Sequence, residues 1–195
     1  MKVNFVKAFI PAKDFVAVEK VGNKVLVRFD AVKDEQTDAY SCVEGSASAS
    51  EYNEQEVRRG YEAWKRKWAE KALALAKNAK IAEITNYDTS DKVNGFVLNG
   101  LLVWLDKATR VGLMNSTTIA KATGQQTTTL WLKGIKLVVD CDKAIQLLSA
   151  LEMYALECFN VTASHKAAVN ELTTIEEVEA YDYKKGYPKM LEMSV

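Results

Sequence analysis

Glycine, proline and histidine are scarce in this sequence, and their scarcity narrows the possible functions. The chain has only 9 glycines, 2 prolines and 1 histidine. Glycine-rich phosphate loops, multi-histidine metal sites and Ser-His-Asp triads therefore lack the residues that they need. We expect no cofactor, no metal site and no catalytic residues, so that an enzyme ranks below a structural or binding protein.

The three cysteines are too few and too far apart for the usual cysteine-based sites. Cys42, Cys141 and Cys158 form neither a disulfide framework nor a C-x-x-C pair, which predicts a reducing compartment. No stretch approaches about 18 consecutive apolar residues, and the N-terminal segment lacks the pattern of a signal peptide. We therefore expect neither secretion by the general pathway nor a membrane partner.

Basic and acidic residues are equal in number in this sequence. The 195 residues include 26 basic and 26 acidic ones, and 48% of the residues are apolar. This composition is typical of a globular protein of one domain or two small ones, with a core of its own. A neutral chain also disfavours nucleic acid and other polyanions as partners.

The sequence of residues 1–50 predicts a small β module followed by a linker. Apolar and polar residues alternate in KVNFVKAFI, FVAVEK and KVLVRFDAV, and Gly22-Asn23 supplies a hairpin turn. The next segment, EGSASASEY, is small and polar, which predicts a loop or linker. A domain boundary is expected between Ser46 and Ser50.

Residues 51–85 predict one long amphipathic helix with basic outer faces. Strong helix formers dominate this segment. Its apolar residues follow a near-heptad spacing and form an aromatic stripe: Val57, Tyr61, Trp64, Trp68, Ala72, Leu75 and Ala79. Three roles stay open for this stripe and its basic flanks: packing on the protein's own sheet, a coiled coil with other copies, or binding of an acidic partner or nucleic acid.

Residues 86–195 contain a repeated unit, in which a β-hairpin is followed by a helix. Residues 96–114, FVLNGLLVWLDKATRVGLM, align with residues 130–148, LWLKGIKLVVDCDKAIQLL. Asn99-Gly100 and Lys133-Gly134 predict two-residue turns in which glycine takes a positive φ. The repeat therefore predicts an α+β fold, in which two hairpins form a four-stranded antiparallel sheet covered by a long helix over residues 142–172.

Polar residues mark the helix ends of this region. Asp106 and Asp140, or Asp142, are predicted N-caps, and Thr173-Thr174 before Glu176-Glu177 predicts a capping box for a short helix that ends near Ala180. His165 lies seven residues after Cys158 on the long helix, which separates them by about 10 Å. That distance is too large for a hydrogen-bonded nucleophile and base, so we assign His165 a structural role.

The outer face of the two hairpins is too apolar for simple solvent exposure. The long helix of the same chain, another subunit or a small molecule could cover it. The candidate interface therefore combines this face with the aromatic stripe of the helix: Val57, Tyr61, Trp64, Trp68, Leu75, Val97, Leu102, Trp104 and Trp131.

Six motifs occur in a characteristic order: YDTSDKVNGFVLNG, VWLDKATR, TTTLWLKG, LEMYALECFNVTASH, LTTIEEVEAYD and GYP. This series, over roughly residues 81–191, resembles a phage-associated domain of unknown function found in phages and prophages of gut Bacteroidetes. No catalytic residues are assigned in that family. The resemblance singles out Tyr87, Asp88, Trp104, Asp106, Arg110, Tyr154, Thr162 and His165, to which we give structural roles.

The resemblance implies a bacteriophage structural protein, because genes of this family lie among virion and tail-fibre genes. We expect an adaptor or decoration of a tail, tail fibre or capsid appendage, which is made in the host bacterial cytoplasm and ends in the virion. Its partners would be other phage structural proteins and further copies of itself. The alternative is an assembly chaperone for tails or fibres that leaves before the virion matures. Residues 1–50 lie outside the resemblance and suggest an exchangeable attachment module.

Overall fold

The computed structural model describes residues 3–194, which form two compact units that divide between Ala76 and Lys77. Both contain helices and strands, which confirms the predicted α+β class and its N-terminal β module. Within the segment of the predicted long helix, one helix covers residues 61–88. Its residues up to Ala76 belong to the first unit, and those from Lys77 belong to the second. Within residues 3–194, no helix combines the length and the apolarity that a bilayer crossing requires.

The first unit contains a four-stranded antiparallel sheet. Its strands are β1 (Asn4–Pro11), β2 (Val18–Val21), β3 (Lys24–Asp34) and β4 (Ala39–Ser48), in the order β1-β4-β3-β2. A short 3-10 helix, Ala12–Asp14, follows β1, and Gly22-Asn23 forms the predicted turn between β2 and β3. Alternate residues of β3, namely Val25, Val27 and Phe29, are fully buried, as expected for a strand with one face on the core.

Strand β4 corrects the prediction of a linker after Cys42. Residues 44–48 of the segment EGSASASEY belong to the strand, and Gly45 pairs with Phe5 on one side and Val27 on the other. Gly45 leaves the space that a side chain of a helix occupies on the strand. A Cβ at Gly45 would overlap Cε3 of Trp68 and would lie 2.7 Å from its Cζ3.

Two helices replace the single helix predicted for residues 51–85. Helix α1 (Glu54–Arg59) begins at Asn53, whose side chain accepts hydrogen bonds from two backbone N–H groups, and ends at Gly60. Helix α2 (Tyr61–Asp88) follows at once. Gly60 interrupts the helix because glycine loses more backbone entropy in a helix than other residues.

The aromatic residues of the stripe pack inside the first unit. Trp68 is only 1% exposed, and its ring makes edge-on contacts with those of Phe5, Tyr52 and Trp64. The hydroxyl of Tyr61 donates a 2.7 Å hydrogen bond to the carbonyl of Arg28 in β3. Of the three roles left open, the structure shows packing on the protein's own sheet. That sheet is the N-terminal one, whereas the prediction placed the stripe on the hairpins or on another subunit.

The second unit contains the two predicted hairpin-helix repeats. Its further elements are α3 (Asp91–Asn94), β5 (Gly95–Leu98), β6 (Leu101–Trp104), α4 (Lys107–Ala122), β7 (Thr127–Leu132), β8 (Ile135–Asp140), α5 (Cys141–Glu171), α6 (Ile175–Ala180) and β9 (Leu191–Met193). One apolar core joins the inner faces of both hairpins to α5. It includes Phe96, Val103, Leu130, Leu148 and Leu151.

The hairpins differ from the prediction in their strand partners. Strands β5 and β6 belong to a three-stranded sheet with β9, and β7 and β8 form a separate two-stranded sheet. Strand β9 occupies the free edge of β5, where Leu191 pairs with Phe96 in parallel. The side chain of Lys133 donates a 3.2 Å hydrogen bond to the carbonyl of Leu102. The second hairpin thus contacts β6 through a side chain and not through strand pairing. The four-stranded antiparallel sheet of this protein is therefore the N-terminal one.

Within each hairpin, turn and register are those predicted. Asn99 and Lys133 have φ near 50°, and the following Gly100 and Gly134 have φ of 80° and 81°. Phe96 faces Val103, and Leu130 faces Leu137. The predicted caps are confirmed as well: Asp106 and Asp140 cap α4 and α5, and Thr174 and Glu177 form the capping box of α6.

Replacement of either turn glycine by valine should destabilise the second unit by about 1–3 kcal/mol, because a β-branched residue resists positive φ. A Cβ at Gly100 or Gly134 meets no atom of the described residues within 4 Å, so the cost is backbone strain alone. Gly112→Val in α4 is the matched control, since its φ is not positive and its Cβ is equally unobstructed. Urea unfolding should show the loss for both turn variants only; turn variants as stable as the parent would contradict the turn type.

Candidate functional site

The second unit has a cleft whose walls come from β6, α4, α5 and the end of α2. Its volume is about 440 Å³, which falls in the range of about 300–1,000 Å³ that is typical of small-molecule sites. Its apolar lining is Trp104, Leu105, Ala155, Leu156 and Phe159. Its polar lining is Asp88, Thr89, Asn94, Asp106, Lys107, Arg110 and Glu152.

Arg110 is the buried cation of this cleft, with 8% of its surface exposed. Its Nε donates a 2.8 Å hydrogen bond to Glu152 on α5, and its Nη1 donates a 2.7 Å bond to the carbonyl of Leu105. These bonds fix the guanidinium plane and connect α4 to α5. Within residues 3–194, Nη2 donates to no protein acceptor and is not among the buried unsatisfied atoms, so Nη2 keeps donor capacity in the lining of the cleft.

Two carboxylates of the cleft are also held in place by neighbours. Asp106 accepts hydrogen bonds from the hydroxyl of Thr109 (2.6 Å) and from its backbone N–H (2.8 Å), and these bonds lower the pKa of Asp106 below its usual value. The carboxylate of Asp88 accepts a 2.7 Å bond from the hydroxyl of Thr162, and its backbone carbonyl accepts one from Asn94. The polar lining is thus organised before any ligand enters.

Hydrogen bonds near Asp88 account for the position of His165. The hydroxyl of Thr162 is also 2.9 Å from that of Tyr187, and the His165 ring lies between Tyr181 and the backbone carbonyl of Lys185. Because a carbonyl can only accept, Nε2 of His165 carries a proton and donates to Lys185, while Nδ1 lies 2.8 Å from the Tyr181 hydroxyl. His165 therefore fastens the segment after α6 to α5, in agreement with a structural role.

The cysteines are free and buried. The thiol of Cys158 donates a 3.3 Å hydrogen bond to the carbonyl of Val93, which also accepts a 2.6 Å bond from the hydroxyl of Tyr154. Burial raises the pKa of Cys158 and of Tyr154, so both groups stay protonated near neutral pH. A protonated, buried thiol is a poor nucleophile. Among the residues that the structure describes, His, Cys, Asp and Glu side chains form no cluster suited to a metal ion.

Residues 75–185 match the family described as "Domain of unknown function (DUF4376)", which covers more than half of the chain. The chain belongs to this family. The DUF4376 region begins within α2 and contains every residue that lines the cleft, together with His165. No curated protein and no solved structure matches the chain significantly.

The candidate interface residues occupy two kinds of environment. In the first unit, Val57 and Trp68 are buried, Tyr61 and Trp64 are partly buried, and Leu75 is exposed. Val57 and Trp68 thus serve the core, which leaves them no surface for a partner. In the DUF4376 region, Val97 is partly buried, and Leu102, Trp104 and Trp131 are exposed. Of these hairpin residues, Trp104 lines the cleft.

Sequence reasoning missed the contribution of α5 to the cleft. Glu152, Leu156 and Phe159 lie beside the buried stripe of that helix, and Leu156 and Phe159 are 48% and 60% exposed. Exposed Met153 precedes them at the same three-residue spacing. A second apolar line next to the main stripe was therefore a usable signal, because an exposed line of large apolar residues often marks a binding surface.

Proposed function

We propose that this protein is a structural component of a bacteriophage particle that acts by protein–protein interaction and not as an enzyme. It would be an adaptor or decoration of a tail, tail fibre or capsid appendage, made in the host cytoplasm and retained in the virion. The phage setting rests on the resemblance of the six motifs. The interaction role rests on the exposed apolar residues that the hairpins turn away from their core.

The observation that carries the interaction role is the outer face of the second hairpin. Trp131 on β7 and Val138 on β8 are 62% and 60% exposed, while Leu130 and Val139 on the opposite face are buried. Because Trp131 and Val138 are exposed, their packing adds little to the stability of the folded chain. Large aromatic anchors of this kind dominate the energetics of protein interfaces when a partner covers them.

A second copy of the chain suits this face as a partner. The face carries Lys136, which pairs with Trp131 across the hairpin, and Asp140, which caps α5. The whole chain is neutral, with 26 basic and 26 acidic residues, so that copies approach without net repulsion. Strand β8 also lies at the edge of a two-stranded sheet, and sheet edges readily pair with other chains. We therefore propose a homo-oligomer that contacts other phage structural proteins.

Trp131→Ser should weaken self-association by at least about tenfold. Sedimentation equilibrium measures the effect as a shift towards the protomer mass. At a concentration where both proteins are protomers, the melting temperature should stay within about 2 °C of the parent. Ile119→Ser is the control, because Ile119 is equally exposed on α4 but lies outside the hairpins. A parent protein that is monomeric at all concentrations, or a Trp131 variant with unchanged mass, would refute the homo-oligomer.

Mass spectrometry of purified phage particles tests the virion role itself. A structural component should be present at a fixed ratio to the major tail or capsid proteins. If the protein is present in infected cells but absent from mature particles, it is not a virion component, and the assembly chaperone becomes the better proposal.

A further inference from the structure

The cleft has an apolar wall that the fold leaves uncovered. Trp104 comes from the outer face of β6, and Leu156 and Phe159 come from α5. Trp104 is 40% exposed, although it lies in a concave site together with two exposed apolar side chains. Aromatic rings with an open face attract polarised C–H groups, because the face of the ring carries partial negative charge.

The polar lining offers donors and acceptors side by side. Arg110 keeps donor capacity on Nη2, while Glu152, which binds Nε on the same edge of the guanidinium, keeps acceptor capacity on its second oxygen. Asp88 and Asp106 contribute further acceptors, and Lys107 a further donor. Because neighbouring residues already hold Asp88, Asp106 and Arg110, a ligand would gain these hydrogen bonds without ordering the side chains first.

The charges in the cleft nearly cancel. Three carboxylates, Asp88, Asp106 and Glu152, face two cations, Lys107 and Arg110. An anionic ligand would meet more carboxylates than cations, and a cationic ligand would meet the buried guanidinium. A neutral ligand that both donates and accepts hydrogen bonds avoids both costs.

We propose that this cleft binds a neutral saccharide. A sugar ring has a face of C–H groups, which packs on Trp104 and Phe159, and an edge of hydroxyl groups, which donate to carboxylates and accept from Arg110. This binding site is separate from the self-association face of Trp131, and it goes beyond the structural role proposed above.

Nuclear magnetic resonance of the ¹⁵N-labelled protein tests the site with glucose, galactose, mannose, N-acetylglucosamine and their disaccharides, each at up to about 50 mM, which detects affinities near the millimolar range. We expect dose-dependent shifts of the Trp104 indole N–H and of amides near Arg110. The Trp131 indole should not move and serves as an internal control. If no sugar of this panel shifts Trp104, or if Trp131 shifts equally, the proposal is wrong.

Two variants on the same helix sharpen the test. Phe159→Ala should reduce the affinity of the best sugar about three- to tenfold, the value of one aromatic contact. Met153→Ala should leave it unchanged, because Met153 is as exposed as Phe159 but lies outside the cleft. Both should fold and associate like the parent, so that loss of sugar binding is distinguishable from loss of self-association. An unchanged affinity in Phe159→Ala would overturn the proposed wall.

Charged sugars test the ligand class. Glucuronate and glucosamine should bind more weakly than glucose, because each adds a charge that part of the lining opposes. Tighter binding of either one would overturn the assignment of a neutral ligand.

Discussion

Gly45→Ala should destabilise the first unit by about 2–3 kcal/mol, although it adds a single methyl group. That methyl carbon would overlap the indole of Trp68 and would lie 3.0 Å from Cε1 of Phe5. The indole cannot move aside easily, because Phe5, Tyr52 and Trp64 surround it. The strand backbone at Gly45 has no positive φ, so the cost comes from overlap alone.

Urea unfolding followed by tryptophan fluorescence measures this loss. Gly112→Ala is the matched control and should stabilise the protein by about 0.5–1 kcal/mol, because α4 has open space at that position and alanine favours a helix. Gly45→Ala combined with Trp68→Leu should cost less than the sum of the two single changes, since the smaller side chain makes room. A Gly45→Ala protein with parental stability would show that α2 does not pack this closely on β4.

Trp68→Ala should cost about 3–5 kcal/mol, the usual loss for a large aromatic side chain in a core. Trp68 is 1% exposed and is the largest fully buried side chain of the described residues, in contact with three other aromatic rings. Its removal leaves a cavity between α2 and the sheet that these rings fill only in part.

Trp131→Ala is the matched control for this change, because it removes the same side chain from an exposed site. At a concentration where the protein is a protomer, it should alter the free energy of unfolding by less than about 0.5 kcal/mol. Near-ultraviolet circular dichroism during thermal unfolding, combined with molar mass, distinguishes the alternatives. If Trp68→Ala kept its stability but lost self-association, the aromatic stripe would be an interface and not a core.

Features set by a few neighbouring residues could be predicted from the sequence. Asp106 and Asp140 cap their helices through their own side chains, and Thr174 and Glu177 form a reciprocal pair within one turn. Glycine after Asn99 or Lys133 selects the hairpin turn. In each case the interactions that determine the local structure join residues within four or five positions of each other, so the local sequence is enough to predict it.

Features set by distant partners could not be predicted. Gly45 and Ser46 have the composition of a loop, yet they belong to β4, where Trp68 fills the space that Gly45 leaves open. Strand β9 has only three residues, which is too short for its apolar-polar-apolar pattern to identify a strand, so the sequence did not predict the pairing with β5. The cleft likewise depends on Arg110 and Glu152, which meet only when α4 packs on α5.

The pairing of β9 with β5 also sets an order of events during synthesis. Both hairpins are local in sequence, so they can close while the chain is still emerging from the ribosome. The three-stranded sheet can be completed only after residues 191–193 have emerged, because Leu191 is the partner of Phe96. Until then, one edge of β5 is open to neighbouring nascent chains on the same messenger RNA. Ribosome spacing on the message should therefore influence the yield of correctly folded protein.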